Sequence, residues 1–407
     1  MDIDVSATKS THPIVYLLLC TPFGASNGYL VVTLGFLLSQ AGVSVTAIAG
    51  LIALSLAPQT WKFLWAPVVD TTLSSKTWYF IATVVSAVTL GTIGFFPISQ
   101  AGLFAITVLV VANSTATTFL AMAAENLMAH ATPDAEKGRA AGWYQAGNLG
   151  GSGLGGGAAL WLAQHFHYVW LPGAAMAVLF MVCCVALVFV AEPPVDHRHD
   201  SYWRSLGNVG IDVWATLKSR AGYLALLICF LPIGSGAASN LWSAVAGDWH
   251  ASADTVALVN GVLGGIVSAI GCVVGGYLCD RMDRKFAYAL FGIFLAAGAI
   301  AMAAAARTPQ MFVTFTLLYA FVQGFNYASF SAVVLEAIGR GAAATKYNVY
   351  AALSNAPIMY MTTAEGFAYG RWHANGLLFA DALSGVVAVM FFFAVAFGTR
   401  PRAVAVA

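Results

Sequence analysis

Apolar residues in this chain run in long unbroken stretches, separated by short groups of charged, proline and glycine positions. A helix crossing the hydrocarbon core of a bilayer needs about 20 mostly apolar residues. By that measure the pattern predicts twelve spanning helices, near 12–38, 45–67, 77–96, 101–127, 139–163, 169–191, 221–247, 254–279, 286–306, 309–337, 343–370 and 376–399. Continuous rather than alternating runs argue against a transmembrane barrel. The expected fold class is an all-α membrane protein. The run from Pro13 to Leu38 is too long for a signal-peptide core and lacks a small-residue cleavage pattern after it, so it reads as the first span.

Composition agrees. Of 407 residues, 60% are apolar and 9% charged, against roughly 45–50% and about 25% in soluble domains. So few charges cannot cover the surface of a soluble protein of this size, so the lipid bilayer is the expected partner and nucleic acid is not. The six cysteines (Cys20, Cys183, Cys184, Cys229, Cys272 and Cys279) all lie in apolar stretches, without the paired spacing of a metal site or a disulfide framework. They read as small buried hydrophobes, and neither metal nor cofactor is expected.

Charge placement sets the orientation. With twelve spans both termini share one side, and that side collects fifteen of the eighteen Lys and Arg residues. Only Arg307 and Arg371 fall on the other side, and Lys62 lies within a span. Basic loops stay in the cytoplasm, so both termini are expected there, in a cell inner membrane. The longest polar stretch, 192–220, spaces Trp203, Leu206, Gly210, Val213, Trp214 and Leu217 at helical intervals. It reads as a linker with an amphipathic helix on the membrane surface.

The chain also repeats itself. A shift of 210 residues brings Pro22-Phe23-Gly24 onto Pro232-Ile233-Gly234, Asp70 onto Asp280 and Asn113 onto Gln323; one residue more brings Glu125 onto Glu336. Six spans per copy is an even number, so the copies point the same way through the membrane. The expected organisation is a bundle at 1–191, the linker at 192–220 and a second bundle at 221–407. Parallel repeats of this kind resemble the two halves of major facilitator transporters, which rock about a central solute site.

A loop motif strengthens that resemblance. Gly276, Asp280, Arg281, Asp283, Arg284 and Lys285 follow the eighth span in an order similar to the cytoplasmic loop motif of the same superfamily. The resemblance implies a latch, in which Asp280 caps a neighbouring helix and the basic residues pair with acids at helix ends, Glu336 being the expected partner. The first copy keeps Asp70 but has only Lys76 as a base.

The second span ends Pro58-Gln59-Thr60-Trp61-Lys62-Phe63-Leu64-Trp65-Ala66-Pro67-Val68-Val69-Asp70. With Glu125 and the glycine-rich run from Gly142 to Gly157, it resembles the muropeptide permeases (AmpG type) and related acetyl-CoA transporters, over the N-terminal half. That resemblance implies an importer of large anionic or amphipathic solutes such as muropeptide-like sugar-peptides, with siderophores or other carboxylated metabolites as the alternative. Lys62 is expected either to bind a solute anion or pair with Glu125, or to snorkel to the headgroups.

Glu125, Glu365 and Asp381 are the intramembrane acids and the candidates for carrying a coupled proton. Glu365 and Asp381 sit toward the ends of their spans, where a merely interfacial role is equally open. The expected cavity lining is Asn27, Tyr29, Asn113, Asn240, Trp242, Gln323, Asn326 and Tyr327 in spans one, four, seven and ten. Trp61, Tyr144, Gln145, Asn148, Tyr350 and Asn355 add to it from spans two, five and eleven. Each also reads as an ordinary interhelical hydrogen-bonding or packing residue.

Glycines four apart at Gly147, Gly151 and Gly155, at Gly261 and Gly265, and at Gly271 and Gly275 predict close helix packing. In the superfamily, spans five and eight meet across the halves. Span five lacks the Gly-Pro of antiporter motifs, which favours uptake over export. No phosphate-cradling loop is present, which argues against a nucleotide-driven pump. A membrane-embedded acyltransferase would need a histidine cluster at a membrane face, and His197 with His199 lies in the linker instead. The expectation is a monomeric, proton-coupled symporter of a small-molecule solute, and not an enzyme.

Overall fold

The computed structural model describes residues 11–12, 14–132, 137–192, 218–279, 281–338 and 349–398, with 203, 204, 207, 210, 211, 214 and 215 of the linker. Those linker residues are helical and all exposed, Trp203, Ile211 and Trp214 among them. Leu206, Val213 and Leu217 lie outside the described residues.

Among the described residues the structure is helical throughout, and the twelve expected spans are present. They are α1 (Ile14–Gln40), α2 (Val45–Leu64), α3 (Ser75–Ile93), α4 (Leu103–Ala131), α5 (137–165), α6 (Leu171–Phe189), α7 (220–249), α8 (Ala253–Cys279), α9 (Arg284–Ala304), α10 (Pro309–Ile338), α11 (349–371) and α12 (374–398). The last two run as one helix except at Trp372 and His373, where φ/ψ leave the helical region and the chain turns back. Among the described residues nine stretches are long and apolar enough to cross a membrane, one of them the α11–α12 pair. The remaining two spans are α5, diluted by glycine, and α7, which is not one helix.

α7 departs from the single run expected at 221–247. Its helix stops at Phe230, the backbone opens through Leu231–Gly236, and short turns resume at Ala237. Pro232 can give no N–H, and Gly234 and Gly236 take φ of +57° and +69°, values open mainly to glycine. At the equivalent point of α1, Pro22 is absorbed without a break.

Glycine packing resolves into two kinds. Gly147, Gly151 and Gly155 of α5 face the α1 carbonyls of Leu17, Thr21 and Ala25. Gly271 and Gly275 face α10. The expected α5–α8 contact is made by Gly261 and Gly265 of α8, against Gly157 and the Leu149 carbonyl of α5. Leu154–Ala158 and Ala257–Leu263 both widen into π-helical turns there.

The core shows how the bundle is closed. One cluster joins α1, α2 and α5 to α7, α8, α10 and α12, and its members, such as Leu38, Val45, Trp249, Phe312 and Leu378, lie toward the face of the short turns at 41–44, 250–252 and 372–373. Toward the other face, where both termini lie, the clusters are separate. Tyr16, Tyr79 and Leu127 belong to one, Ile228, Tyr288 and Phe392 to another. Hydrogen bonds agree: the Ser39 hydroxyl donates to the Ala244 carbonyl at 2.5 Å and the Thr46 hydroxyl to the Gly366 carbonyl at 2.8 Å, both near the turn face. Among the described residues the shared cluster and these hydrogen bonds thus join the bundle at the turn face, while the clusters toward the other face stay separate.

Candidate transport site

Pro67 shapes the lower part of α2. It has no N–H for the carbonyl of residue 63, and its ring crowds that turn. The α-helix ends at Trp61, tightens to a 3-10 turn over Lys62–Leu64 and restarts at Ala66, with the Trp65 N–H donating to the Lys62 carbonyl at 3.2 Å. The Trp65 indole fixes this break against α4, donating to Thr118 Oγ1 at 3.0 Å and stacking on Phe119.

From the break Lys62 reaches α4. Its Nζ lies 3.9 Å from Glu125 Oε1, and the Tyr144 hydroxyl of α5 donates to the same oxygen at 3.5 Å. The two charged side chains are 16% and 28% exposed, so neither is fully enclosed by protein. A pair that long and partly exposed is worth less than about 1 kcal/mol, and a competing anion can displace it.

Gln59, one turn above Lys62, lines a small polar cleft between α1, α2, α3 and α4. Asn27, Tyr29, Asn113, Ser114 and Thr117 supply its other polar walls. Glu125 follows Thr117 by eight residues, about 12 Å along the same face of α4. Ion pair and cleft therefore share one stripe, with the pair nearer the terminal face.

The expected lining residues divide by partner. Asn27 is exposed to the cleft. Asn113 also borders it, but its amide is fully engaged, accepting from the Ser26 hydroxyl and donating at 3.2 Å to both the Ser86 carbonyl and Thr89 Oγ1. It ties α1, α3 and α4 together. Trp61 is half-exposed, and the Asn148 amide donates to Gln145 Oε1 at 3.2 Å.

In the other half, Asn240 donates to Thr362 Oγ1 at 3.1 Å, and Gln323 donates to the Tyr327 hydroxyl at 3.3 Å. Asn326 donates to the Val322 carbonyl at 3.2 Å. Its Oδ1 is buried without a partner beside Gly234. Tyr350 and Asn355 bond backbone carbonyls of Gly222, Ala351 and Ala352.

Glu365 and Asp381 are buried and face each other between α11 and α12. Tyr319 of α10 donates to Asp381 Oδ2 at 3.0 Å, and the buried Trp242 of α7 packs edge-on to the Tyr319 ring. Neither oxygen of Glu365 has a hydrogen-bond partner. The turn at Trp372–His373, between Gly370 and Gly376 where the sequence separates the last two spans, brings the two acids to similar depth.

Of the loop motif, Asp280 lies outside the described residues, as do the side chains of Asp70 and Glu336. Arg281 stacks over the Tyr277 ring at 3.8 Å. Gly276 has open space around it, and Arg284 and Lys285 open α9. Asp283 caps that helix, its Oδ1 accepting from the Phe286 N–H at 2.9 Å. The sequence reading missed this role, for which an Asp placed just before an apolar helical run is the signal. Gln59 and Ser114 were missed because a lone amide or hydroxyl in an apolar run has no distinguishing spacing.

Solved structures with the same arrangement are transporters. A point mutant of the nucleoside transporter NupG superposes with a TM-score of 0.71 at 14% identity, covering 94% of this chain and 98% of that one. A D-xylose-proton symporter gives 0.69 at 14% identity, with 93% and 97% covered. The inward-open xylose transporter XylE from E. coli gives 0.67 at 14% identity, with 94% of each chain covered. Among curated proteins none matches the sequence. The sequence profile of the Major Facilitator Superfamily matches residues 16–362, most of the chain, and the protein belongs to that superfamily of membrane transporters.

Proposed function

We propose that the protein imports an anionic or amphipathic organic solute together with protons, by alternating access. Muropeptide-like sugar-peptides are the leading solute class, and siderophores or other carboxylated metabolites the second. The observation that carries this reading is Lys62, held at a helix break and only loosely by Glu125, on the stripe that leads into the polar cleft. A cation set within a span is costly unless it is paired or hydrated, and such groups mark solute pathways. A solute carboxylate replacing Glu125 would take over that pairing.

The moving bodies in this reading are the bundles at 1–191 and 221–407, joined by 192–220, in a monomer with both termini cytoplasmic. The terminal face, where the clusters stay separate, would then be the cytoplasmic one, where an importer releases its cargo. The xylose symporter among the similar structures moves its solute with protons, which supports the same coupling here.

Uptake into proteoliposomes under an imposed pH gradient tests the reading. Anhydro-muropeptides, a ferric siderophore and a dicarboxylate are offered, each beside its neutral ester or amide. Accumulation of an acid form and not of its neutral form is expected. Equal uptake of both forms would remove the anion site, and no accumulation of any would remove the importer.

A further inference from the structure

The Glu365–Asp381 pair carries a second inference, which deepens the proton-coupled reading and rests on it. The pair sits behind the contacts that join the bundle at the turn face. Gly366, next to Glu365, accepts from Thr46 of α2, and a methyl at Gly366 would collide with Ala49. One turn toward the terminal face, Thr362 is held by Asn240. One turn the other way, Tyr369 donates to Asp248 Oδ1 at 3.0 Å. Glu365 is fully buried and Asp381 nearly so, with α2 packed on the adjacent Gly366.

The groups facing the pair are few. Tyr319 acts on Asp381, Tyr327 acts on Tyr319, and α2 and α7 present no titratable side chain to either carboxyl. No Lys, Arg or His among the described residues balances their charge. The nearest cluster of charge, Asp248 with Arg307 over the Trp249 ring, lies further toward the turn face and includes the exposed His373 beside Tyr369. Two adjacent carboxylates without a cation cannot both be ionised in a dry interior.

We propose that Glu365 and Asp381 form the proton-binding site of this transporter, and that α2 can close on α11 only when the pair holds a proton. Glu365 carries that proton, since no other donor reaches its oxygens, and Asp381 carries the charge that the Tyr319 hydroxyl stabilises. When the turn face opens, α2 leaves α11, water reaches the pair and the proton exchanges with that side. Closing then requires reloading. The site lies apart from the Lys62 stripe, so solute and proton are joined through the movement of α2 against α11.

The sign follows from linkage: the closed turn face binds the extra proton, so lowering the pH favours it. Spin labels at Gln40→Cys and Trp372→Cys, in the otherwise cysteine-free full chain reconstituted without solute, report the opening by their separation. The closed-to-open ratio is expected to rise as pH falls, at a limiting rate of about tenfold per pH unit for one proton. Glu365→Gln is expected to stay closed at every pH, and His373→Asn to keep the wild-type response. Should Glu365→Gln not fold, Asp381→Asn provides the same readout, with the pH response lost. A wild-type response preserved in Glu365→Gln or Asp381→Asn, or one removed by His373→Asn, would overturn the assignment, as would a pH-independent wild type. Because no solute is present, these outcomes stand or fall separately from the anion site.

Discussion

A methyl group on Gly261 of α8 would sit 2.7 Å from the Cα of Gly157 in α5, so these two backbones touch across the middle of the bundle. The contact belongs to the joined turn face and must be remade whenever the protein changes state. It differs in kind from Gly155, where a methyl would drive into the Ala25 carbonyl of α1 within one half.

That difference is testable. Gly155→Val should destabilise the fold itself by about 1–3 kcal/mol, the usual penalty of overpacking, read as a lower thermal midpoint. Gly261→Val should leave the midpoint nearly unchanged and shift the population toward an open turn face, read by labels at Gln40 and Trp372. Equal effects on both readouts would mean the α5–α8 contact is ordinary packing.

Pro67→Ala restores the N–H that a continuous α2 needs. Lys62 is then expected to rotate away from α4, and uptake to fall at least tenfold while the protein level holds. An accessibility scan with cysteine at positions 59–66 would follow the change: a 3.6-residue period through this stretch should replace the tighter turn seen here.

Asn113→Leu removes three hydrogen bonds that join α1, α3 and α4. At about 0.6 kcal/mol per interhelical bond, a loss of about 2 kcal/mol is expected in unfolding by denaturing detergent. If solute affinity falls without that loss, Asn113 is a ligand contact rather than a tie.

Much of this architecture was legible in the sequence, because a spanning helix must announce itself by an apolar run long enough to cross the bilayer. All twelve spans follow from that constraint, and Lys62 follows from the cost of a charge within one. The break in α7 did not, since Pro232 and Gly234 match Pro22 and Gly24 in kind; Gly236, which takes a positive φ and stands where α1 has Ser26, is the difference. The spacing of Gly147, Gly151 and Gly155 showed a close contact but not its partner, because a glycine row fits any neighbouring helix. Glu365 and Asp381 were visible as intramembrane acids, yet their pairing depends on how α11 and α12 rotate against each other, which sequence spacing across a turn does not fix.

Glu125→Gln frees Lys62 from its competing partner. Since the pair is worth less than about 1 kcal/mol, an anionic solute should bind up to about fivefold more tightly, and coupling to the proton gradient should persist. Loss of the pH dependence of uptake in this variant would instead place the coupling proton on Glu125.

The most direct measurement is equilibrium binding and pH-driven uptake of a labelled anhydro-muropeptide by Lys62→Ala in proteoliposomes, beside the wild type. The expected result is normal protein in the membrane with affinity reduced at least tenfold and accumulation abolished. Affinity and uptake equal to the wild type would contradict the claim that a solute anion is held at Lys62.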